Sequence, residues 1–164
     1  MAEGLDRQAR DAAIARARRL RSLRELATGC RACELWARAT QTVFGDGSPK
    51  ARLLLVGEQP GNSEDLEGAP FVGPAGRLLD RALGEAGIDR DEVYVTNVVK
   101  HFKWRRAPRG KRRIHQKPDR AEVEACYPWL RAEVARIHPD LILPGSDGLA
   151  GGARQGVQGH ASAR

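Results

Sequence analysis

Sulfur, aromatic residues and long apolar runs are all scarce in this chain, and each scarcity closes off a class of protein. Among 164 residues there are three cysteines, Cys30, Cys33 and Cys126. An odd set of thiols in a chain without a secretion signal argues against a disulfide framework and predicts a reducing, cytoplasmic setting. No stretch approaches the roughly 18 consecutive apolar residues of a membrane span. The arginine-rich N-terminus also lacks the apolar segment of a secretory signal. Aromatic residues make up only 5% of the chain, so those that stand inside motifs carry weight. The length is that of one domain able to bury a core of its own.

Acid is missing from one place in particular. Residues 100–117, KHFKWRRAPRGKRRIHQK, hold nine Lys or Arg and no Asp or Glu, so a formal charge of +7 becomes −2 for the remainder of the chain. The basicity is therefore local. This run lies mid-chain and interleaves Phe102, Trp104, Ile114, His101 and His115. That mixture suits a polyanion that also offers bases, a nucleic acid, better than a membrane surface.

What is present is organised around residues 52–61, RLLLVGEQPG. Four consecutive apolar residues are too few for a helix and read as a strand covered on both faces, as in a parallel sheet. Gly57, Pro60 and Gly61 then turn the chain sharply at the strand's carboxyl end, the edge where open α/β sheets place ligands. Glu58 and Gln59 stand on that edge. Ahead of it, residues 5 to about 28 read as one helix, with Leu5, Ala12, Ile14, Leu20, Leu23 and Leu26 among seven arginines and no breaker before Gly29. Cys30-Arg-Ala-Cys33 follows. Its spacing serves redox dithiols, zinc and iron–sulfur sites, and with no thioredoxin-like strand before it a metal site is favoured.

Residues 34–50 read as loop and 62–73 as irregular, with Phe71 either a core plug or an exposed stacking platform. Gly76 to Ala86 predicts a helix presenting Leu78, Leu79 and Leu83 on one face and ending at Gly87. Val93–Val99 predicts a second strand carrying Thr96 and Asn97 at its end. Asp119 to Ile137 predicts a helix interrupted by Pro128, and Leu141–Leu143 a third strand. Strand, helix, strand, basic loop, helix, strand is the order of an α/β parallel sheet. From Gly145 the character changes to a tail with six glycines in residues 145–159 and no apolar period. The expected division is a domain over 1–144 and an anomalous tail over 145–164, either disordered or displaced in reading frame.

Four motifs together resemble the uracil-DNA glycosylase superfamily, and within it the iron–sulfur family 4 enzymes and the UdgX group: GEQPG at 57–61, PFVGPAG at 70–76, VYVTNVVKHF at 93–102 and KRRIH at 111–115. The resemblance implies a three-layer α/β sandwich with a central parallel sheet whose last strand is missing here. It implies a monomer acting on uracil in DNA, single-stranded by expectation. Phe71 would stack on the flipped base and Asn97 would read its edge, an amide accepting from N3–H and donating to O4; the alternative for Asn97 is an amide capping a backbone turn.

Glu58 and Gln59 match the motif at the reacting sugar, and Lys111, Arg112 and Arg113 would face the DNA backbone. His115 matches the histidine that in the UdgX group attacks C1′ and leaves a covalent adduct, where ordinary members use water. Cys30, Cys33 and Cys126 match three of the four family 4 cluster cysteines. His101 falls where the fourth stands, giving an expected [4Fe–4S] ligand set of Cys30, Cys33, His101 and Cys126. Two departures accompany the match. The downstream His-Pro-Ser motif is absent, with His160 no substitute for it, and Asn62 stands where related sequences often have an acid.

Overall fold

Leu53 to Val56 are apolar at every position because the strand they form is covered on both faces. The computed structural model describes residues 4–145. In chain order its strands are β1 (Asp46–Gly47), β2 (Leu53–Gly57), β3 (Val93–Asn97), β4 (Trp104–Arg106), β5 (Arg113–His115) and β6 (Leu141–Pro144). Its α-helices are α1 (Arg7–Arg16), α2 (Leu20–Ala27), α3 (Asn62–Glu67), α4 (Pro74–Glu85) and α5 (Arg120–Ile137).

The main sheet has the order β1-β3-β2-β6, with β2 central and parallel to both β3 and β6. Alternate side chains go to opposite faces. Leu54, Val56 and Tyr94 pack with Leu130 and Ile137 of α5, while Leu55, Val93 and Val95 pack with Leu79 and Leu83 of α4. Beyond α5, a further cluster gathers Leu23, Ala27, Cys30, Phe44, Cys126 and Trp129. Helices thus cover both faces of a parallel-containing sheet, in agreement with the α/β expectation.

Several local expectations are corrected. Residues 5–28 are two helices, α1 and α2, separated at Ala17–Arg19, with Arg19 extended at φ −117° and ψ 147°. Across this break α1 and α2 both contact α5, and Arg136 of α5 donates to the carbonyls of Ile14 and Ala17 at the end of α1. Residues 34–50 contain a 3₁₀ turn, Glu34–Ala37, and the two-residue β1, which runs antiparallel to β3. Within 62–73 lies α3, invisible to apolar periodicity because its buried residues are Glu64 and Asp65. The helix read from Gly76 begins at Pro74, and Leu78 is exposed while Leu83 is buried. Its end is the Schellman arrangement, Ile88 N–H to Leu83 O at 2.9 Å and Gly87 N–H to Gly84 O at 3.1 Å, with Gly87 at φ 68°. Pro128 does not break α5, which is a single helix started by a capping box between Asp119 and Glu122.

The strand expected over Val93–Val99 ends at Asn97, and the basic loop is a hairpin of β4 and β5. Gly145 N–H still bonds Val56 O at 2.7 Å, and the rest of the anomalous tail lies outside the described residues. On β6, Leu141 and Leu143 are exposed. No helix among the described residues is long and apolar enough to cross a membrane.

Candidate active site

The register Gly57↔Asn97 brings the ends of β2 and β3 level, so the GEQPG turn and Asn97 share the carboxyl edge of the sheet. Gly57 is required by what faces it: a Cβ there would meet Asn97 Oδ1 at 2.1 Å and Phe71 Cζ at 3.2 Å. Asn97 is 4% exposed, yet its side-chain amide makes no hydrogen bond among the described residues. It caps no turn. Phe71, half-buried beside it, sits at φ 57°, in the left-handed region that a bulky side chain seldom occupies. That conformation is held from both sides. Buried Glu64 accepts from Gly73 N–H at 2.9 Å, and a Cβ on Gly76 would lie 1.6 Å from Phe71 O. An unengaged amide and an aromatic ring therefore converge over a glycine, an arrangement suited to a flat ring with a donor–acceptor edge.

Glu58 is half-buried at the same edge, and its backbone carbonyl accepts from Val99 N–H at 3.0 Å. Gln59 uses both ends of its side-chain amide within the structure. Its Oε1 accepts from Lys103 N–H and its Nε2 donates to Gln116 O, each at 2.7 Å, so its amide clamps the base of the β4–β5 hairpin. His115 is adjacent to that clamp, pairs with Trp104 across the hairpin, and stacks on buried Phe102 with ring centroids 5.9 Å apart and an interplanar angle of 18°. The imidazole itself is exposed.

The basic run divides into two sets. Lys100 is buried against Glu133, Lys103 bonds Glu122 at 2.7 Å and Asp119 at 3.3 Å, and Arg113 bonds buried Asp65 at 2.5 Å and Asn62 Oδ1 at 2.7 Å. Arg113 also lies over the Phe102 and Trp104 rings. Its guanidinium is thus tied into the hold on the hairpin, unlike its neighbours in the run. Lys111 and Arg112, with Arg105, Arg106, Arg109 and Lys117, are exposed and form no salt bridge among the described residues. These six make the cationic surface.

On the helical side, Trp129 Nε1–H donates to Cys30 Sγ and Lys100 N–H to Cys126 Sγ, both at 3.2 Å. Burial pushes the Cys126 thiol up to about 12 and raises Cys33 as well, with the neighbouring thiols adding to each rise. Burial pulls His101 down to about 4, which keeps its ring neutral, and its Nε2 meets Thr42 Oγ1 at 2.9 Å. Buried thiols that already receive N–H donors, with a neutral imidazole next to Lys100, are donors of the kind a cluster takes. Yet no group of three or more His, Cys, Asp or Glu among the described residues is gathered closely enough to hold a metal ion. The donor chemistry of these residues fits a cluster, and the three cysteines share one core cluster.

Sequence reasoning missed Lys100, Glu133 and Asp65. Glu133 had a signal: it falls between Leu130 and Ile137 on the apolar stripe of α5, where a carboxylate must have a partner.

Residues 44–148 match the Uracil DNA glycosylase superfamily. The chain belongs to that superfamily. It is 41% identical over 125 residues to a Type-4 uracil-DNA glycosylase of Sulfurisphaera tokodaii, covering 76% of this chain and 53% of the relative. It is 41% identical over 124 residues to a Type-4 uracil-DNA glycosylase of Pyrobaculum aerophilum, covering 76% and 59%. A Type-5 uracil-DNA glycosylase of Thermus thermophilus is 33% identical over 111 residues, covering 62% and 47%. The chain spans about half the length of the curated Type-4 relatives it matches.

Proposed function

We propose that this chain recognises uracil flipped from DNA and cleaves its N-glycosidic bond, with His115 taking the sugar. The observation that carries the reading is the convergence of the buried Asn97 amide and the Phe71 ring over Gly57, with no partner for that amide among the described residues. Cytosine presents the opposite donor and acceptor order at N3 and C4, so a fixed Asn97 amide discriminates between the two bases. The six exposed cations of the hairpin region supply the backbone contacts that offset the cost of extrusion.

As the C1′–N1 bond loosens, its electron pair leaves with uracil N1 and positive charge grows on the sugar. Glu58 stabilises that charge. A lone pair of the His115 imidazole then forms the new C1′–N bond. The proton lost from the imidazole balances the uracil anion. Gln59, by clamping the hairpin base, sets the register from which His115 reaches the sugar. The Phe102 stack limits the imidazole's orientation.

Cys30, Cys33 and Cys126 are the proposed thiolate ligands of a [4Fe–4S] cluster and His101 the fourth. Coordination through Nδ1 would leave the Nε2 contact with Thr42 in place. When bound, the cluster supplies a cross-link between the Cys30–Cys33 segment and α5. Iron and acid-labile sulfide in the purified protein, lowered by His101→Ala, would support this set; a zinc-loaded protein would overturn it.

A second reading is favoured by the Type-4 names of the relatives: ordinary turnover, with water in place of His115. A third reading, from a different class, is a DNA-binding protein without glycosylase activity. Denaturing gels of uracil-containing oligonucleotides separate the three. A heat-stable adduct lost in His115→Ala supports the leading reading, abasic product without adduct supports turnover, and unaltered DNA supports the binding protein. An adduct that survives removal of His115 would sink the nucleophile assignment.

A further inference from the structure

Lys100 is 1% exposed and Glu133 0%, and neither has a part in the chemistry above. All three protons of the Lys100 ammonium are used: Nζ donates to Glu133 Oε2 at 2.5 Å, to Thr96 Oγ1 at 2.7 Å and to the backbone carbonyl of Asn97 at 2.7 Å. Glu133 Oε1 accepts from Tyr94 Oη–H at 2.9 Å and from Gly45 N–H at 3.1 Å, and the Thr96 hydroxyl lies 3.0 Å from both carboxylate oxygens. The Phe44 ring closes over the ammonium at 5.2 Å.

The bond to Asn97 O has a consequence for the site. Lys100 follows Asn97 by three residues, so this side-chain bond closes residues 97–100 into a loop just beyond β3. Inside the loop, Val98 N–H donates to Gly57 O at 2.9 Å and Val99 N–H to Glu58 O at 3.0 Å. Asn97 and the GEQPG turn therefore hang from one loop, and its closing bond is anchored on α5 through Glu133. Desolvating a lysine and a glutamate is costly, and a well-packed neutral pair serves stability as well as a buried ion pair does. What the charged pair provides beyond stability is a strong, directed hold on the Asn97 carbonyl.

We propose that Lys100, held by Glu133, is a positioning residue for base recognition: it fixes the loop that carries the Asn97 amide and the Glu58 backbone. The inference rests on the reading of Asn97 given above. A displacement of about 1 Å in such a group is enough to cost on the order of 100-fold.

The test is the double variant Lys100→Met/Glu133→Gln. The Glu133→Gln change keeps an acceptor for Tyr94 and Gly45 and loses the charge, while Lys100→Met fills the lysine's volume without a donor. Lys100→Met alone strands a buried carboxylate and serves only as the control for misfolding. Two readouts are taken on the whole chain. Amide hydrogen exchange at Val98 and Val99 should accelerate at least tenfold while amides of α5 and β2 stay within twofold of the parent. Binding of a single-stranded oligonucleotide with one uracil, relative to the same strand with cytosine at that position, should lose at least tenfold in preference.

Unchanged exchange at Val98 and Val99, or acceleration spread evenly over the core, would overturn the proposal. So would a locally loosened loop that keeps its full preference for uracil. If the parent chain itself shows no such preference, it is the base-reading assignment that fails, and the exchange result alone decides whether Lys100 holds the loop.

Discussion

The floor of the site and its hairpin are built on opposite plans. The floor, at the ends of β2 and β3, keeps its fully buried charges for one another: Lys100 and Glu133 form a closed set with Thr96 and Tyr94. The hairpin is a two-stranded ribbon with exposed cations and an exposed His115, and a ribbon of that size has little stability of its own. It is held instead at named points: Gln59 at its base, Arg113 on Asp65, Lys103 on α5 and Trp104 Nε1–H on Arg38 O at 2.9 Å. On the proposed reading, the groups that would select a base stand on a rigid frame. On the same reading, those that would meet a flexible nucleic-acid backbone stand on an element whose position is set by a few ties.

The largest expected effect comes from cutting the strongest of those ties. Arg113→Met leaves Asp65, fully buried, with Thr40 as its remaining partner, and should cost about 3 kcal/mol in urea unfolding. A loss below about 1 kcal/mol would mean that the hairpin is not anchored through this pair. Gln59→Ala removes two hydrogen bonds and should cost about 1–2 kcal/mol. Its distinctive sign is faster exchange of the Gln116 amide, which bonds Lys103 O at 2.9 Å, with β3 amides unaffected.

Lys111→Gln and Arg112→Gln touch none of the ties, so stability should stay within about 0.5 kcal/mol. The slope of log affinity against log salt should fall by roughly 0.9 per residue on duplex and about 0.7 on single strands. A slope unmoved by both changes would separate the hairpin from the DNA backbone.

The smallest effect concerns the start of α5. The Glu122 N–H, with Lys103 nearby, holds the Asp119 carboxyl below its ordinary 3.8. A carboxyl lowered by folding stabilises fully above its unfolded value and loses that contribution as pH falls through the folded one. Asp119→Asn should therefore flatten the acid side of the stability profile below about pH 4 and change little at neutrality. An identical acid profile in both proteins would remove the cap from the account.

Where the sequence reading failed, the failures have a common cause. The sequence hides α3 because its inward residues are carboxylates, and it gives Arg113 no mark that separates it from the exposed arginines of the same run. In both, a charged side chain is buried by partners far along the chain: Asp65 and Arg113 are 48 residues apart, Lys100 and Glu133 33. Periodicity has no access to pairings of that range. The same limit explains the single helix expected over residues 5–28, since Arg136, more than 100 residues away, accommodates its break.

By itself the sequence determined the alternation of strands and helices, the parallel core and the motif-bearing edge, because these follow from local apolar pattern and turn chemistry. It also placed Gly57 and Asn97 at the carboxyl ends of two strands, which meet when those strands are parallel. Only the tertiary structure decided which charges face solvent and which hold the fold. It divided one basic run into six exposed cations and three structural ones, left the Asn97 amide without a partner among the described residues, and put the Gln59 amide on the hairpin. Whether a charge is free or paired is settled by desolvation and by distant partners, and those exist only once the chain has folded.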